Sequence, residues 1–179
     1  LVADVVGDSH DAALERVADA SAAAGHQFHA VASLERNGRQ ARALDDLAGK
    51  MDRVVVDAPC TGTGTWRRRP DTKWKLTPEL LAQRQADQAA ILEEATRYLK
   101  PGGTLVYITC SILPEENDDQ VAALLSAHPE LKSVDIAAAW RSVFITDIPS
   151  GLATPAGGVL LTPHRTGTDG FYCHLLRKA

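Results

Sequence analysis

The stretch "RVVVDAPCTGTG", residues 53–64, decides the fold class of this chain. Its valines form a near-continuous apolar run, which is typical of a strand in the buried centre of a parallel sheet. A second apolar run, "TLVYITC" at residues 104–110, also ends in a cysteine. Ligands of open parallel sheets bind beyond the carboxyl ends of the strands. The pattern therefore predicts that Asp57, Cys60 and Cys110 face one crevice.

Apolar runs alternate with helix-like segments along the chain, and this alternation predicts an α/β domain with a mostly parallel sheet. Two segments at the end of the chain, within residues 158–178, are predicted to form an antiparallel strand pair. Residues 137–158 are assigned as loop and short strand. The other predicted strands cover residues 1–6, 27–33, 53–58 and 104–109. The predicted helices cover residues 11–25, 39–49, 78–99 (capped by Thr77 and ended by "KPGG") and 114–129.

Length and composition limit the class of protein. The 179 residues predict one domain over 1–179, and 45% apolar residues are ordinary for a globular protein. No apolar run approaches the roughly 18 residues that a membrane span needs, and the three cysteines lack zinc spacing. We therefore expect a cytoplasmic monomer without metal. Because the net charge is −4, nucleic-acid binding would have to come from a local basic patch. The chain begins inside a predicted strand, and we expect it to be truncated.

Competing readings of the cysteines are tested by spacing. A cysteine-dependent phosphatase loop needs Arg six positions after Cys60, where this chain has Trp66. The glycines do not complete a dinucleotide fingerprint or a phosphate loop. A cysteine protease would need a histidine partner, and a partner close in space stays open. Cys173, in an alternating strand, is predicted to pack as a small hydrophobic residue.

Five motifs then follow one another in a fixed order: "MDRVVVDAPCTGTG", "PDTKW", "KPGGTLVYITCS", "PEEN" and "GTDGFYCHLLRK". In this order they resemble the Fmu/Sun family of RNA 5-methylcytosine methyltransferases, which depend on S-adenosylmethionine. The resemblance covers residues 51–120 and 158–179. It implies a Rossmann-like class I methyltransferase sheet, of which this chain is the C-terminal part of the catalytic domain.

The resemblance also implies roles for individual residues. Cys110 is similar to the family's nucleophile, which adds to carbon 6 of cytosine and so activates carbon 5. Cys60 is expected to assist release of the product, and Asp57 to act near ring nitrogen 3 and the cofactor. Asp4 and Pro59 are further expected cofactor contacts. The glycines after Cys60 are interpreted as room for a base to enter.

A basic segment follows the first cysteine motif and is interleaved with Trp66 and Trp74. Aromatic and basic side chains together suit unpaired RNA bases, although a solvated loop is the usual role of a charge run. Trp74 could equally be a buried anchor, and the acids of "PEEN" are interpreted as helix-start residues. The predicted RNA contacts are Arg67, Arg68, Arg69 and Lys73.

The family's glycine-rich loop after its first strand has no counterpart here. The segment "LVADVV" matches the family's second strand, so we expect either a gap in the sheet before the strand at 53–58 or a different pairing. Ser33 and Glu35 stand where an adenine-binding Asp is usual. We therefore expect weak S-adenosylmethionine binding by this chain alone. The alternative function is a non-catalytic RNA-binding or assembly module that has lost the cofactor site.

Overall fold

The computed structural model describes residues 2–4, 30–32, 45–144 and 146–179. Within these residues, one seven-stranded sheet has the order β2-β1-β3-β4-β7-β5, with β6 paired to β7. The strands are β1 Val2–Asp4, β2 Ala30–Ala32, β3 Met51–Asp57, β4 Leu99–Thr109, β5 Leu131–Ser133, β6 Val159–Leu161 and β7 Phe171–Lys178. The helices are α1 Pro78–Thr96, α2 Asp118–Ala127, α3 Ile136–Val143 and α4 Pro163–Thr166.

The strand directions confirm the predicted fold class. Strands β1 to β4 pair in parallel, whereas β7 is antiparallel to β4, β5 and β6. The predicted gap beside β3 does not occur, because β1 pairs directly with β3 and places Asp4 opposite Asp57. The predicted helix 11–25, most of 39–49, and Ser33 and Glu35 lie outside the described residues.

Helix α1 begins where the sequence predicts. The Thr77 hydroxyl accepts the N–H of Leu80, and Pro78 occupies the first helical position. The predicted end is wrong: the helix ends at Thr96, and "KPGG" lies within β4, where Gly102 has φ 76°. Only glycine adopts that backbone conformation without steric cost.

Two other helices depart from the prediction. Helix α3 occupies part of the segment assigned as loop, because Asp135 accepts the N–H groups of Ala137 and Ala138 and caps it. In the segment predicted as one helix from residue 114, a 3-10 turn at Pro114–Glu116 precedes α2. The turn buries the side chains of Glu116 and Asn117, whereas Pro114 stays exposed.

The core lies between the sheet and helices α1 and α2. Val54 and Val56 of β3, and Leu105 of β4, are fully buried there. These buried residues alternate with partly exposed neighbours, so that one face of the sheet packs against the helices. None of the helices that the structure describes is long and apolar enough to cross a membrane.

Candidate active site

The carboxyl ends of β3 and β4 bring the predicted residues together. Asp57 is the last residue of β3, and the Ala58 N–H donates to the Ile108 carbonyl at 2.9 Å, which holds the two strand ends side by side. Cys60 and Cys110 follow these ends, and their Sγ atoms are 3.1 Å apart. Both thiols are half-buried. The two cysteines are 50 residues apart in sequence, and the neighbouring strand ends bring their sulfurs into contact.

The two thiols differ in their tendency to ionise. The hydrogen bond with Cys60 is the main cause that lowers the pKa of Cys110, whereas burial and the charge of Asp57 oppose this shift. The hydrogen bond with Cys110 and burial raise the pKa of Cys60. These opposite shifts favour the thiolate at Cys110 and the thiol at Cys60. A thiolate is the nucleophilic form of cysteine.

The Thr-Gly loop after Cys60 packs against the segment that follows β4. Thr63 Oγ1 lies 3.0 Å from Ser111 Oγ and accepts the Ile112 N–H, and the Gly64 N–H donates to the Cys110 carbonyl at 2.9 Å. A Cβ at Gly64 would meet the Cys110 carbonyl at 2.8 Å and the backbone of Gly170 even closer. The interpretation of Gly64 as room for a base is therefore wrong, because that space is filled by backbone.

Glu116 of "PEEN" is buried beneath the Cys60 loop, a role that the helix-start interpretation missed. Its carboxylate accepts the Thr61 N–H at 2.8 Å, the Thr61 hydroxyl at 2.5 Å and the Gln88 amide at 3.0 Å. The same Gln88 amide donates to the Pro59 carbonyl at 2.9 Å. The neighbours of Glu116 in sequence are mostly acids, which are typical of a helix start, and its side-chain partners Thr61 and Gln88 are 55 and 28 residues away. No local pattern therefore predicts these contacts.

Asn117 makes the matching contacts on the other loop. Its Oδ1 accepts the Thr109 hydroxyl at 2.6 Å, and its Nδ2 donates to the Ser111 carbonyl at 3.0 Å. These two residues flank Cys110. The side chain of Asn117 is almost fully buried, so solvent does not compete for these bonds.

The predicted cofactor contacts lie at the same edge of the sheet. Asp4 ends β1 and pairs in register with Asp57, although the structure does not describe the Asp4 side chain. Pro59 is buried, and its carbonyl is engaged by Gln88. Carboxylates at neighbouring strand ends can accept hydrogen bonds from ribose hydroxyl groups. The roles of Asp4, Asp57 and Pro59 stay predictions.

The predicted RNA contacts lie on an exposed segment after the Cys60 loop. Arg67 and Arg68 pair with Asp169 at 3.2 and 2.8 Å, and Lys73 Nζ lies 5.6 Å from the centroid of the Trp74 ring. Trp74 is 83% exposed, so the alternative of a buried anchor is wrong. Arg69 is also exposed.

Two described histidines are engaged away from the thiols. His128 lies 2.7 Å from Glu93, and His174 lies within 3.1 Å of Tyr172 and Ser133. The two candidate thiols contact each other. Among the residues that the structure describes, the site is therefore a pair of cysteines; His10, His26 and His29 lie outside them.

Cys173 lies apart, in the lining of a mostly apolar groove of about 610 Å³ beside α3. Burial raises the pKa of its thiol, which agrees with the prediction of a packing role. Among the described residues, no group of three or more His, Cys, Asp or Glu residues is arranged to hold a metal ion.

Known proteins resemble this chain in sequence and fold. The sequence model of the family described as 16S rRNA methyltransferase RsmB/F matches residues 4–177. Ribosomal RNA small subunit methyltransferase B of Yersinia pseudotuberculosis is 39% identical over 140 residues, which cover 76% of this chain. The protein of that name from Yersinia pestis matches equally. The chain spans 29% of the length of these curated relatives.

Solved structures extend the likeness to the fold. The crystal structure of PH0851 matches with a TM-score of 0.71 and 30% identity, and the match covers 98% of this chain and 36% of the PH0851 chain. The structure of NSun6 from Pyrococcus horikoshii with SFG matches with a TM-score of 0.63 and 24% identity, and the match covers 99% of this chain and 47% of the NSun6 chain. The fold is therefore that of known methyltransferase structures.

Proposed function

The chain belongs to the family of 16S rRNA methyltransferases RsmB/F, whose sequence model it matches over residues 4–177, and on this premise we propose that it methylates carbon 5 of a cytosine in rRNA or tRNA. The Fmu/Sun resemblance of its motifs is thereby confirmed. The methyl donor in this proposal is S-adenosylmethionine, and residues 1–179 belong to a single catalytic domain, of which they are the C-terminal part. The 3.1 Å contact between the Cys60 and Cys110 sulfurs carries the proposal.

Covalent addition is the first step. The Cys110 thiolate forms a bond to carbon 6 of cytosine, and the electron pair of the C5–C6 double bond makes carbon 5 nucleophilic. Charge develops toward ring nitrogen 3 in this step, where Asp57 holds a shared proton. The lowered pKa of Cys110 supports this role, because it increases the fraction of thiolate at a given pH.

Methyl transfer and release complete the reaction. Bound S-adenosylmethionine would supply the methyl group: carbon 5 takes the methyl, and the electrons of the broken methyl–sulfur bond stay on the sulfur, so that S-adenosylhomocysteine leaves. Water then removes the carbon 5 proton, the C5–C6 double bond re-forms, and the Cys110 sulfur leaves as a thiolate. Cys60, which keeps its proton in the resting site, donates a hydrogen bond to the departing sulfur. The raised pKa of Cys60 supports this donor role.

The two cysteines should fail at different steps. Cys60→Ala should accumulate a covalent RNA adduct, detected by denaturing gel with a cytosine-containing substrate, whereas Cys110→Ala should form none. Cys173→Ala is the matched control and should behave as wild type. An adduct with Cys110→Ala and none with Cys60→Ala would reverse the assignment. If wild type and all variants methylate no rRNA or tRNA, the non-catalytic module is the better description.

The cofactor and RNA sites are proposed on their chemistry. Asp4 and Asp57 end neighbouring strands and fit the ribose hydroxyl groups of S-adenosylmethionine; a relative was solved with SFG, an analogue of this cofactor. The RNA contacts are Arg67, Arg68, Arg69 and Lys73. The 179-residue chain should bind S-adenosylmethionine poorly by isothermal titration, and micromolar binding would contradict this expectation.

A further inference from the structure

We propose that Glu116 and Asn117 are positioning residues that together set the separation of the two thiols. Glu116 bonds the loop after Cys60, and Asn117 bonds the residues on both sides of Cys110. The two anchors are neighbours in sequence, so one short 3-10 turn controls both loops. The inference rests on the proposed two-cysteine function and assigns to that site residues that do not contact the reacting atoms.

The contact from Glu116 is strong enough to order a loop. Its fully buried carboxylate receives three hydrogen bonds, two of them from Thr61, the residue next to Cys60. A buried carboxylate that loses its donors is costly, so these bonds resist displacement of the loop. Gln88 of α1 ties the same carboxylate to the Pro59 carbonyl. The Cys60 loop is therefore held on both sides of the thiol.

The contact from Asn117 fixes the second thiol in the same way. The Thr109 hydroxyl donates to Asn117 Oδ1, and Asn117 Nδ2 donates to the Ser111 carbonyl. One side-chain amide therefore bonds the residues on both sides of Cys110. The Tyr107 hydroxyl donates to the Glu116 carbonyl at 2.7 Å, which fastens the turn to β4. A shift of this turn would move both thiols relative to each other.

The separation of the thiols matters because each acts on the same base at a different step. Covalent and proton-transfer steps tolerate only small misplacement, and a displacement of 1 Å can reduce a rate by roughly a hundredfold. Loosening the Glu116 side should therefore impair release, which needs Cys60. Loosening the Asn117 side should impair adduct formation, which needs Cys110.

The first measurement reads the geometry without RNA. Diamide oxidises the two thiols to a disulfide and is itself reduced to the hydrazine. The rate of disulfide formation in the purified protein therefore reports how close the two sulfurs stay. Glu116→Gln and Asn117→Ala should each slow cross-linking of Cys60 to Cys110 by about tenfold. Asp119→Asn changes an exposed acid in the first turn of α2; it is the matched control and should cross-link at the wild-type rate.

The second measurement separates the two steps with RNA. In single-turnover assays at alkaline pH, where Cys110 is ionised with or without the bond to Cys60, Glu116→Gln should form adduct at nearly the wild-type rate but release it about tenfold more slowly, so that adduct accumulates. Asn117→Ala should form adduct about tenfold more slowly without accumulation, and the KM for RNA should not change in either variant. Thr61→Val, which removes a single hydroxyl, should repeat the Glu116 defect in milder form if the larger change prevents folding.

Two results would overturn the inference. One is cross-linking at the wild-type rate in both variants. The other is an equal loss of adduct formation and release in both variants, since that pattern indicates a general loss of stability. A wild-type protein that cross-links fast but never forms adduct would instead count against the proposed function, while a slower cross-link in the variants would still support the positioning role.

Discussion

Removing the Cys60 thiol should raise the pKa of Cys110. In the structure, the Cys60 and Cys110 sulfurs are 3.1 Å apart, and the hydrogen bond between them is the main cause of the lowered pKa of Cys110. A hydrogen bond to an ionised acceptor contributes about 1.5 kcal/mol at the weak end, and S–H is a weak donor. Since about 1.4 kcal/mol is tenfold in an equilibrium constant, Cys60→Ala should lower the ratio of thiolate to thiol at Cys110 by about tenfold at a given pH.

The assay is the pH dependence of iodoacetamide alkylation at Cys110, followed by mass spectrometry of the peptide. Wild-type protein should alkylate Cys110 at lower pH than an ordinary cysteine, and Cys60→Ala should shift the midpoint upward. Cys60→Ser keeps a donor and should shift it less. Cys173→Ala, which changes a thiol in the separate groove, should leave the midpoint unchanged.

The alkylation result bears directly on the assignment of the two cysteines. A Cys110 midpoint that stays the same or falls in Cys60→Ala would refute the argument from the hydrogen bond. Preferential alkylation of Cys60 at low pH in wild type would reverse the charge states and make Cys60 the better nucleophile.

Three further predictions concern packing, pH and RNA. Gly64→Ala should destabilise the protein by about 1–3 kcal/mol in urea melts, because the new methyl group meets the backbone of Gly170; stability equal to wild type would contradict this packing. Burial lowers the pKa of His174 in the folded protein, so the unfolded chain binds a proton first as pH falls. The free energy of unfolding should therefore be highest above pH ~6.5 and should decrease below it, by up to about 1.4 kcal/mol per pH unit. The variant His174→Gln should lack this decrease. Asp169→Asn releases the two arginines that it pairs and should tighten RNA binding with a steeper salt dependence, whereas weaker binding would show that Asp169 orders them for contact.

Hydrophobic pattern and motif spacing were sufficient for much of this molecule. The run of valines predicted β3, and its polar end predicted where Asp57 and Cys60 would lie. Thr77 and Pro78 predicted the start of α1 because capping is a local interaction. The prediction missed α3 although its cap is also local, because Asp135 accepts the N–H groups two and three residues ahead. Local signals were insufficient for Glu116, whose partners are a loop and a helix far away in sequence.

The sequence by itself determined the succession of most strands along the chain, the family and the residue types at the strand ends. The reason is that apolar periodicity and short motifs are properties of neighbouring residues. Only the tertiary structure decided that Cys60 and Cys110 touch, that Gly64 packs against backbone, and that Glu116 lies beneath the loop after Cys60. These facts depend on β3 and β4 pairing in one register. The physical reason is that hydrogen bonds and close packing between distant segments exist only after the sheet has formed.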